Sequence, residues 1–568
     1  MGLSIVIGMF SGLTAILLKN GVYFMRQFLL DEKGFDWRNY FLLILPAIGV
    51  FFTLMFKKYF IKDMIKHNIA SILDAIANRK SIMKFHKIFS SMTGGILTAG
   101  FGGSVGLESP IISTGAAIGS NIGRYLGMDY KTITLLLACG SSGAIAAIFS
   151  TPITGVVFAF EVLLIDLSGF SLLPLLSASV TGIIVTKIFT NPEVLFDFDI
   201  LESFSSADLP FVVFFGLLAG LTSAYFSSIF IRVDHIFKKI KSTKNRFIIG
   251  SITIGIMIFV FPPLFGEGFN GIYKMLSGDY HSLIDDSIFR SIDKSSFVVI
   301  SFFLMLVFLK VIATSVTLSA GGVGGIFAPS LFTGAALGFV FAHGINSMDL
   351  GIHLSEMNFI LIGMAGLLGG VLQAPLTGIF MIIEITIGYE LIVPLMASTV
   401  MSYVTAKYFD SNSIFTKQLA LRNQLVTHNK DKAVLRFIDL HQIIEKDFFP
   451  IHVQSTLGDL IELIKKSHRN NFPVIDSENN FLGIVSLDKV REIMFEKELY
   501  DEVKIEDIMT NIPTFVELSE SVEEVAEKFN KVKVWNLAVV DNGKYIGFIS
   551  RAKLFSLYRD NLKEISAE

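Results

Sequence analysis

The sequence has little charge, one cysteine and two tryptophans. Of its 568 residues, 17% are charged and 52% are hydrophobic, and the mean hydropathy is +0.62. The lone Cys139 excludes an internal disulfide framework and a cysteine metal site. The small net charge of -3 gives no basis for predicting a nucleic-acid partner, whose phosphates would require a basic face. Low charge at this length is untypical of a soluble enzyme, so we expect an integral membrane protein.

Apolar stretches recur up to about residue 410, and many approach the length that crosses ~30 Å of hydrocarbon. The long stretches are 40–54, 172–188, 212–231, 247–261 and 297–317. Shorter ones, broken by glycine or proline, are 111–126, 153–165, 326–342 and 376–387. Short, broken segments are expected to end inside the membrane. No cleavable signal peptide is predicted, and the abrupt apolar start suggests a missing N-terminal extension.

The basic loops predict the orientation of these segments. Lysine and arginine cluster at 57–68, 78–87 and 238–246, which the positive-inside rule assigns to the cytoplasm. The acidic stretches 197–208 and 282–287 then face outward.

From about residue 431 the pattern changes to a soluble α/β type with two similar units. Gly483 corresponds to Gly547 and Ser486 to Ser550, and each unit is predicted as strand, turn, strand and helix. The predicted divisions are a membrane part at 1–412, with halves of about 1–190 and 208–409, a linker at 413–434, and tail units at 435–495 and 503–563.

The membrane part contains an internal repeat. Residues 102–119 match 321–338, pairing Gly106 with Gly325 and Pro110 with Pro329. A second block, 140–161, matches 363–384. Two homologous halves with interrupted helices predict a transporter of inverted repeats, with its substrate site near the middle of the membrane.

Each copy of the first block is suited to binding an anion. A glycine-rich turn allows close backbone approach, and Pro110 or Pro329 is predicted near the first position of a helix. The free N–H groups and positive dipole end of a helix N-terminus favour an anion. Two converging termini would form an anion site without lysine or arginine.

Glu108 breaks the repeat, because Phe327 occupies its place in the second copy. An ionised carboxylate at such a terminus can take the anion's place and leave it on protonation, which predicts a protonatable gate. The alternative is that Glu108 only caps the helix it precedes. We favour the gate, since ionisable groups at membrane depth are costly and usually functional.

These motifs resemble those of the CLC chloride channels and chloride/proton exchangers. "GLESP" at 106–110 is similar to their GxExP motif, and "GGIFAP" at 324–329 is similar to GGxFxP. The blocks "STPITG" and "QAPLTG" extend the resemblance over the membrane part, and the tail resembles a pair of CBS domains. The fold implied is a polytopic α-helical membrane protein of two inverted repeats with broken helices, followed by a cytoplasmic α/β CBS-domain pair.

The resemblance also implies a function, which is chloride or similar anion transport by a non-enzymatic homodimer in a lipid bilayer, expected to be a bacterial plasma membrane. Glu108 matches the gating glutamate, and Ile326 and Phe327 match residues whose N–H groups bind the central anion. The remaining motif positions of the expected anion site are Gly106, Leu107, Gly324 and Gly325. No metal or cofactor is implied.

Two positions depart from the family's anion site. The family's GSGIP motif aligns with 66–70, so its serine is replaced by His67, which could bind the anion neutral or charged. Alternatively, His67 belongs to a basic loop and the alignment is shifted. The family's coordinating tyrosine aligns with Phe415, which has no hydroxyl, so backbone donors are expected to contribute more.

A third departure concerns protons. Proton-coupled relatives often carry a cytoplasm-facing glutamate where this chain has Val162. Glu161 could replace it on an inner proton path, but Glu384 occupies the equivalent place in the second half, which favours a shared structural role. We therefore expect a channel-like or loosely coupled pathway, with chloride/proton antiport as the alternative.

The tail departs from nucleotide-binding CBS pairs, which often place aspartate three residues after a serine or threonine. Lys489 and Lys553 stand there instead, and lysine cannot accept ribose hydroxyl protons. Adenine nucleotide binding is thus unsupported, and stabilisation of a dimer is preferred. Among rival functions, an intramembrane enzyme lacks a motif such as HExxH, a non-conducting sensor would give no flux, and the intact anion motifs disfavour a fluoride-selective relative.

Overall fold

The computed structural model describes residues 1–30, 38–61, 69–78, 80–165, 169–190, 204–291, 295–348, 351–386, 388–420, 439–511, 514–532 and 534–566. The chain forms two compact units, Met1–Leu425 and Val426–Glu568.

The first unit is helical. Its helices are α1 Gly2–Leu30, α2 Arg38–Phe56, α3 Ile69–Asn78, α4 Lys87–Gly100, α5 Glu108–Tyr125, α6 Tyr130–Phe149, α7 Pro152–Glu161, α8 Gly169–Phe189, α9 Leu209–Lys239, α10 Thr243–Val260, α11 Phe269–Leu276, α12 His281–Asp285, α13 Ser296–Ser319, α14 Phe327–Asn346, α15 Glu356–Leu372, α16 Pro375–Thr386, α17 Ile392–Phe409 and α18 Ile414–Ala420. A π-helical turn, Lys57–Ile61, follows α2, and 3-10 turns lie at Ser206–Asp208 and Pro262–Leu264. Among the described residues, eight helical segments are long and apolar enough to cross a membrane.

The broken segments predicted from sequence fall into two groups. Helices α7 and α16 are indeed short, with 10 and 12 residues. In contrast, α5 and α14 run for 18 and 20 residues. The glycines inside α5 and α14 therefore do not break these helices. They lie where each helix packs closely against its neighbour.

Both halves show that contact in the same form. A Cβ atom at Gly115 of α5 would lie 2.1 Å from the carbonyl oxygen of Gly140 in α6, and one at Gly334 of α14 would lie 2.2 Å from that of Gly363 in α15. Real Cβ atoms do not approach so closely, so α5 packs on α6, and α14 on α15, only with glycine at these crossings. The matching pairs confirm the repeat at the level of the backbone.

The second block of the repeat folds into a sharp reversal in each half. Helix α6 is capped by the next residue, Ser150, with φ 61°, and α15 is capped by the next residue, Gln373, with φ 54°. Left-handed backbone is uncommon for residues other than glycine, so the shared conformation marks equivalent turns. Each turn leads within two residues to the proline that begins α7 or α16.

The second unit contains two copies of a small α/β motif, consistent with the predicted pairing of its two halves. Its helices are α19 Leu440–Ile443, α20 Leu457–Lys466, α21 Leu487–Val490, α22 Ile505–Ile508, α23 Val522–Val532 and α24 Arg551–Ser566, with a 3-10 turn at Lys497–Leu499. Its strands are β1 Ile451–His452, β2 Asn471–Ile475, β3 Phe481–Ser486, β4 Val516–Glu517, β5 Asn536–Asp541 and β6 Lys544–Ser550. They form sheets of order β1-β2-β3 and β4-β5-β6, each with one parallel and one antiparallel pair.

The matched glycines of the tail occupy equivalent places. A Cβ atom at Gly483 would lie 2.5 Å from the Thr510 carbonyl oxygen, and one at Gly547 would lie 2.6 Å from that of Glu445. Each glycine therefore allows another segment to approach the outer edge of its sheet. The serines Ser486 and Ser550 end β3 and β6, as the strand, turn, strand and helix pattern predicts.

Candidate functional site: the meeting point of the two repeats

The two glycine-rich motifs are joined directly by their backbones. The Gly106 N–H donates to the Gly325 carbonyl at 2.9 Å, and the Gly325 N–H donates to the Gly106 carbonyl at 2.8 Å. This two-bond bridge brings the starts of α5 and α14 together. The prediction that two helix N-termini converge is therefore met by the fold.

The helices begin slightly earlier than the prolines suggested. Helix α5 starts at Glu108 and α14 at Phe327, which makes Pro110 and Pro329 the third helical residue rather than the first. The N–H groups of the first turn have no helical acceptor, so a proline at the third position removes no helical hydrogen bond.

Glu108 lies at the junction and is 1% exposed. Its Oε1 accepts a hydrogen bond from the Ala328 N–H, in the first turn of α14, at 3.0 Å, and its own backbone N–H also contacts the carboxylate. Among the described residues, Oε2 has no hydrogen-bond partner. The carboxylate thus occupies the N-terminus of the other half's helix, where N–H groups and the helix dipole favour a negative charge.

The glycines of the motifs make room for that carboxylate. A Cβ atom at Gly106 would lie 1.9 Å from Glu108 Oε2, and one at Gly325 would lie 3.0 Å from it. Both N–H groups are already used in the bridge, so these glycines contribute space rather than donors. Ile326 and Phe327, as the N-cap and first residue of α14, carry N–H groups for which a helix supplies no acceptor.

The remaining motif residues line or support this junction. Leu107 is the buried N-cap of α5, and Gly324 accommodates the side chain of Val105. The Phe327 ring stacks on Phe149 with centroids 5.7 Å apart, so this position is a packing site in the second half.

A cavity of about 1290 Å³ reaches the junction from the side of the loop between α9 and α10. Ser109, Gly325 and Ile326 line its inner end, and Phe415 also contributes to its wall. Phe415 is 4% exposed, and its aromatic ring carries no hydroxyl group to donate to an anion. His67 falls in 62–68, outside the described residues, so its placement stays a prediction.

Glu161 and Glu384 form a reciprocal pair of caps between α7 and α16. Glu161, at the end of α7, accepts hydrogen bonds from the N–H groups of Leu376 and Thr377 at 3.0 and 2.7 Å, and from the Thr377 hydroxyl at 2.8 Å. Both residues lie in the first turn of α16. A carboxylate in this position satisfies free N–H groups and interacts favourably with the helix dipole.

Glu384, in α16, makes the same three contacts with the first turn of α7. It accepts from the N–H groups of Ile153 and Thr154 at 2.8 Å each, and from the Thr154 hydroxyl at 2.7 Å. This symmetry supports the structural role expected for Glu161. Val162, next to it, caps the end of α7 and is 6% exposed.

Sequence reasoning missed Lys310, a fully buried lysine within α13. Its Nζ donates to the Leu264 and Gly266 carbonyls at 3.2 and 3.0 Å and lies 5.0 Å from the centre of the Phe332 ring. The Gly266 N–H in turn donates to the Gly102 carbonyl at 3.0 Å, which ties this loop to the first glycine-rich motif.

The loop also carries Glu267, which interacts electrostatically with Lys310, Arg26 and Glu108. A charged neighbourhood therefore adjoins the buried carboxylate. The sequence could have pointed to Lys310, because it is a lone charge in the apolar stretch 297–317. Glu108 was selected for the same reason, as an ionisable residue at membrane depth.

In the tail, the end of β6 is occupied by side chains of the same unit. The Ser550 hydroxyl donates to Glu445 at 2.5 Å and accepts from the Lys553 N–H at 3.2 Å. Arg469 pairs with Glu445 and donates to Asp447 at 2.8 to 2.9 Å. An internal ion-pair network thus engages the serine hydroxyl and leaves an open cleft of about 640 Å³ beside it.

The fold and this junction define a class of membrane protein that transports anions. Residues 48–407 match the family described as the voltage gated chloride channel, and residues 440–496 and 505–560 each match the CBS domain. The chain belongs to the CLC family, whose function is anion transport.

Relatives and solved structures agree with this assignment. The chloride channel protein CLC-e of Arabidopsis thaliana is 24% identical over 86% of this chain and 75% of its own length. The H(+)/Cl(-) exchange transporter ClcA of Vibrio campbellii is 25% identical over 73% of this chain and 87% of its own length.

Among solved structures, a slow cyanobacterial Cl-/H+ antiporter matches with a TM-score of 0.64 and 21% identity, covering 76% of this chain and 99% of that one. A eukaryotic CLC transporter matches with a TM-score of 0.61 and 15% identity over 97% of both chains. These likenesses show that the fold is shared, over about three quarters of the chain with the antiporter and over nearly the whole chain with the eukaryotic transporter.

Proposed function

We propose that this protein carries chloride across a membrane by a pathway that Glu108 gates. The observation that supports this most directly is the hydrogen bond from the Ala328 N–H to the Glu108 carboxylate. An anionic oxygen of one half occupies the helix N-terminus of the other. A chloride ion can bind the same N–H groups only when the carboxylate has moved.

Protonation provides the means of release. A neutral carboxyl group gains less from the N–H donors and the helix dipole than a carboxylate does, so acidification favours its departure and opens the pathway. The expected transport rate therefore rises as pH falls through the titration of Glu108.

The degree of proton coupling is the finer part of the proposal. We favour a channel-like or loosely coupled pathway, because Val162 cannot carry a proton and both carboxylate oxygens of Glu161 are engaged in capping α16. Chloride/proton antiport is the alternative, and relatives named as H(+)/Cl(-) exchange transporters support protons as a second substrate.

The proposal includes a homodimer in a bacterial plasma membrane, with the basic loops and the CBS pair in the cytoplasm. The basic residues at 57–58 and 238–246 support this orientation by the positive-inside rule. For the tail we propose a dimer-stabilising role.

The test is chloride efflux from proteoliposomes, with the external pH recorded at the same time. Wild-type protein is expected to release chloride faster at acidic pH, whereas Glu108→Gln and Glu108→Ala should transport at a rate that no longer depends on pH. Glu390→Gln, which alters an exposed glutamate elsewhere in the same unit, serves as the matched control.

Each outcome has a distinct meaning. Wild-type rate and pH dependence in both Glu108 variants would refute the gate. Uphill proton movement driven by a chloride gradient would establish exchange and refute a channel, and a fixed ratio of protons to chloride would also refute loose coupling. Replacing chloride by fluoride in the same assay tests the fluoride alternative, since one structural neighbour is a CLC-type fluoride/proton antiporter.

A further inference from the structure

The cavity that reaches the junction is strongly basic. Its described lining includes the cations Lys57, Lys58, Lys238, Lys244 and Arg246 and one acid, Asp234. Asp234 forms an ion pair with Lys238, so it offsets a charge that is already on this wall. The cavity therefore presents an excess of positive charge to any ion that approaches Gly325 and Ile326.

Lys57 is the cation whose position is best defined relative to the anion motif. It opens the π-helical turn after α2, is half-buried, and donates from Nζ to the Gly321 carbonyl at 2.8 Å. Gly321 has φ +120° and lies in the glycine-rich turn four residues before Gly325. The lysine is thus fixed to the backbone that leads into the first turn of α14.

The geometry leaves donors available on the ammonium group. A lysine ammonium has three N–H bonds, and among the described residues the Gly321 carbonyl is its hydrogen-bond acceptor. Phe415, on the wall of the same cavity, has no polar group to offer. A small anion at the inner end of this cavity can meet a cationic donor in Lys57, the hydroxyl of Ser109 and the backbone donors at the start of α14.

We propose that Lys57 forms an entry site for a small monovalent anion, between its ammonium group and the N-terminus of α14. This inference rests on the proposed function and adds a cationic side chain to a pathway whose motifs suggested backbone donors alone. The surrounding cations attract anions into the cavity, since a concave wall of one sign raises the local concentration of the opposite ion. Lys57 then holds the anion next to the junction.

A purely structural role for Lys57 is the competing explanation, because its hydrogen bond also steadies the turn at Gly321. Charge and hydrogen bonding can be separated by substitution. Lys57→Gln keeps an N–H donor for the Gly321 carbonyl and removes the charge, Lys57→Met removes both, and Lys57→Arg keeps both. Lys239→Gln is the matched control, as it neutralises an exposed lysine of the same loop region outside the cavity.

The measurement is the chloride concentration that gives half-maximal flux in proteoliposomes, with chloride varied equally on both sides. Loss of one positive charge at contact distance is expected to raise it by about three- to tenfold in Lys57→Gln and Lys57→Met. Lys57→Arg and Lys239→Gln should stay within about twofold of wild type. Added inert salt should shrink the difference between wild type and Lys57→Gln, because salt screens charge.

Chemical modification restores the charge without relying on a second sequence. Cys139 is fully buried, so Lys57→Cys introduces an accessible thiol into a chain with no other exposed cysteine. A cationic trimethylammonium methanethiosulfonate forms a mixed disulfide there and releases methanesulfinate. It should lower the half-saturating chloride concentration towards the wild-type value, whereas the anionic sulfonate analogue should raise it further.

The possible results separate this inference from the proposed function. If wild type transports chloride and the Lys57 variants match it, or if both reagents act alike, the entry site is refuted and the gate stands. If wild type carries no chloride, the proposed function fails. Chloride titration of the purified protein by calorimetry then decides whether Lys57→Gln still weakens anion binding as this inference requires.

Discussion

The reciprocal caps between α7 and α16 lead to a quantitative prediction. Replacing Glu161 or Glu384 by alanine leaves two backbone N–H groups and one threonine hydroxyl without their acceptor. Loss of an N-cap costs about 1 kcal/mol, and hydrogen bonds to charged groups are stronger than neutral ones. Because both glutamates are half-buried and water can replace part of the loss, we expect each substitution to cost about 2 kcal/mol.

The corresponding shift in unfolding temperature is small but measurable. Unfolding entropy grows by about 2 cal/mol/K per residue, so in a helical unit of this size 2 kcal/mol corresponds to about 2 °C. The caps are symmetric, and the two single variants should therefore shift the midpoint alike. The assay is thermal unfolding of the purified protein in one detergent at one heating rate, since such unfolding depends on scan rate. Glu390→Ala is the control and should not shift.

The same variants test the inner proton path. Under the capping explanation, Glu161→Gln and Glu384→Gln change stability, while the ratio of protons to chloride stays as in wild type. The reasoning would be refuted by a Glu161→Gln variant with wild-type stability and altered proton movement. It would also be refuted by a clearly unequal effect of the two alanine variants, because equivalent contacts should contribute equally.

Three further predictions concern the site and the tail. Gly106→Ala places a methyl group where the Glu108 carboxylate lies, so it should displace the gate and raise chloride efflux at neutral pH towards the level of Glu108→Gln; unchanged efflux would contradict the observed geometry. Lys310→Met removes the donor from two buried loop carbonyls and should lower stability by about 2 kcal/mol, an outcome that an unchanged thermal midpoint would exclude. Since Glu445 engages the Ser550 hydroxyl, millimolar ATP should leave the thermal midpoint of the full chain unchanged, whereas binding at 100 times Kd would add about 2.7 kcal/mol.

Much of the fold could be predicted from the sequence because the two repeats share glycine and proline residues at matching positions. Matched glycines at close helix crossings, and prolines after sharp turns, keep their spacing in both halves, so alignment of the chain with itself located the junction. The predicted helix starts were less accurate than the predicted repeat. Proline is tolerated throughout the first turn of a helix, where N–H groups lack a helical acceptor, so Pro110 and Pro329 do not mark the first residue.

Contacts between the halves could not be read from spacing. The bond from the Ala328 N–H to Glu108, and the caps made by Glu161 and Glu384, join residues more than 200 positions apart. Nothing local in the sequence distinguishes a carboxylate that caps its own helix from one that caps another. The hydrogen bond from Lys57 to the Gly321 carbonyl was not predicted for the same reason, because the two residues lie far apart in the sequence. From sequence, the basic residues around Lys57 indicated only the orientation of the chain in the membrane.

The repeat offers a physical criterion for distinguishing residues that stabilise the fold from residues that act in transport. Glu161 and Glu384 occur at equivalent positions and make equivalent contacts, as expected of residues that hold two similar halves together. Glu108 is matched by Phe327, a packing residue, and an ionisable group present in one half alone is not required by the shared architecture. Symmetric residues therefore build the scaffold, and we propose that the chemistry of the pathway is introduced where the symmetry is broken. Lys310, which stands 219 positions after Ser91 of α4, satisfies the same criterion and bonds the loop whose Glu267 interacts electrostatically with Glu108.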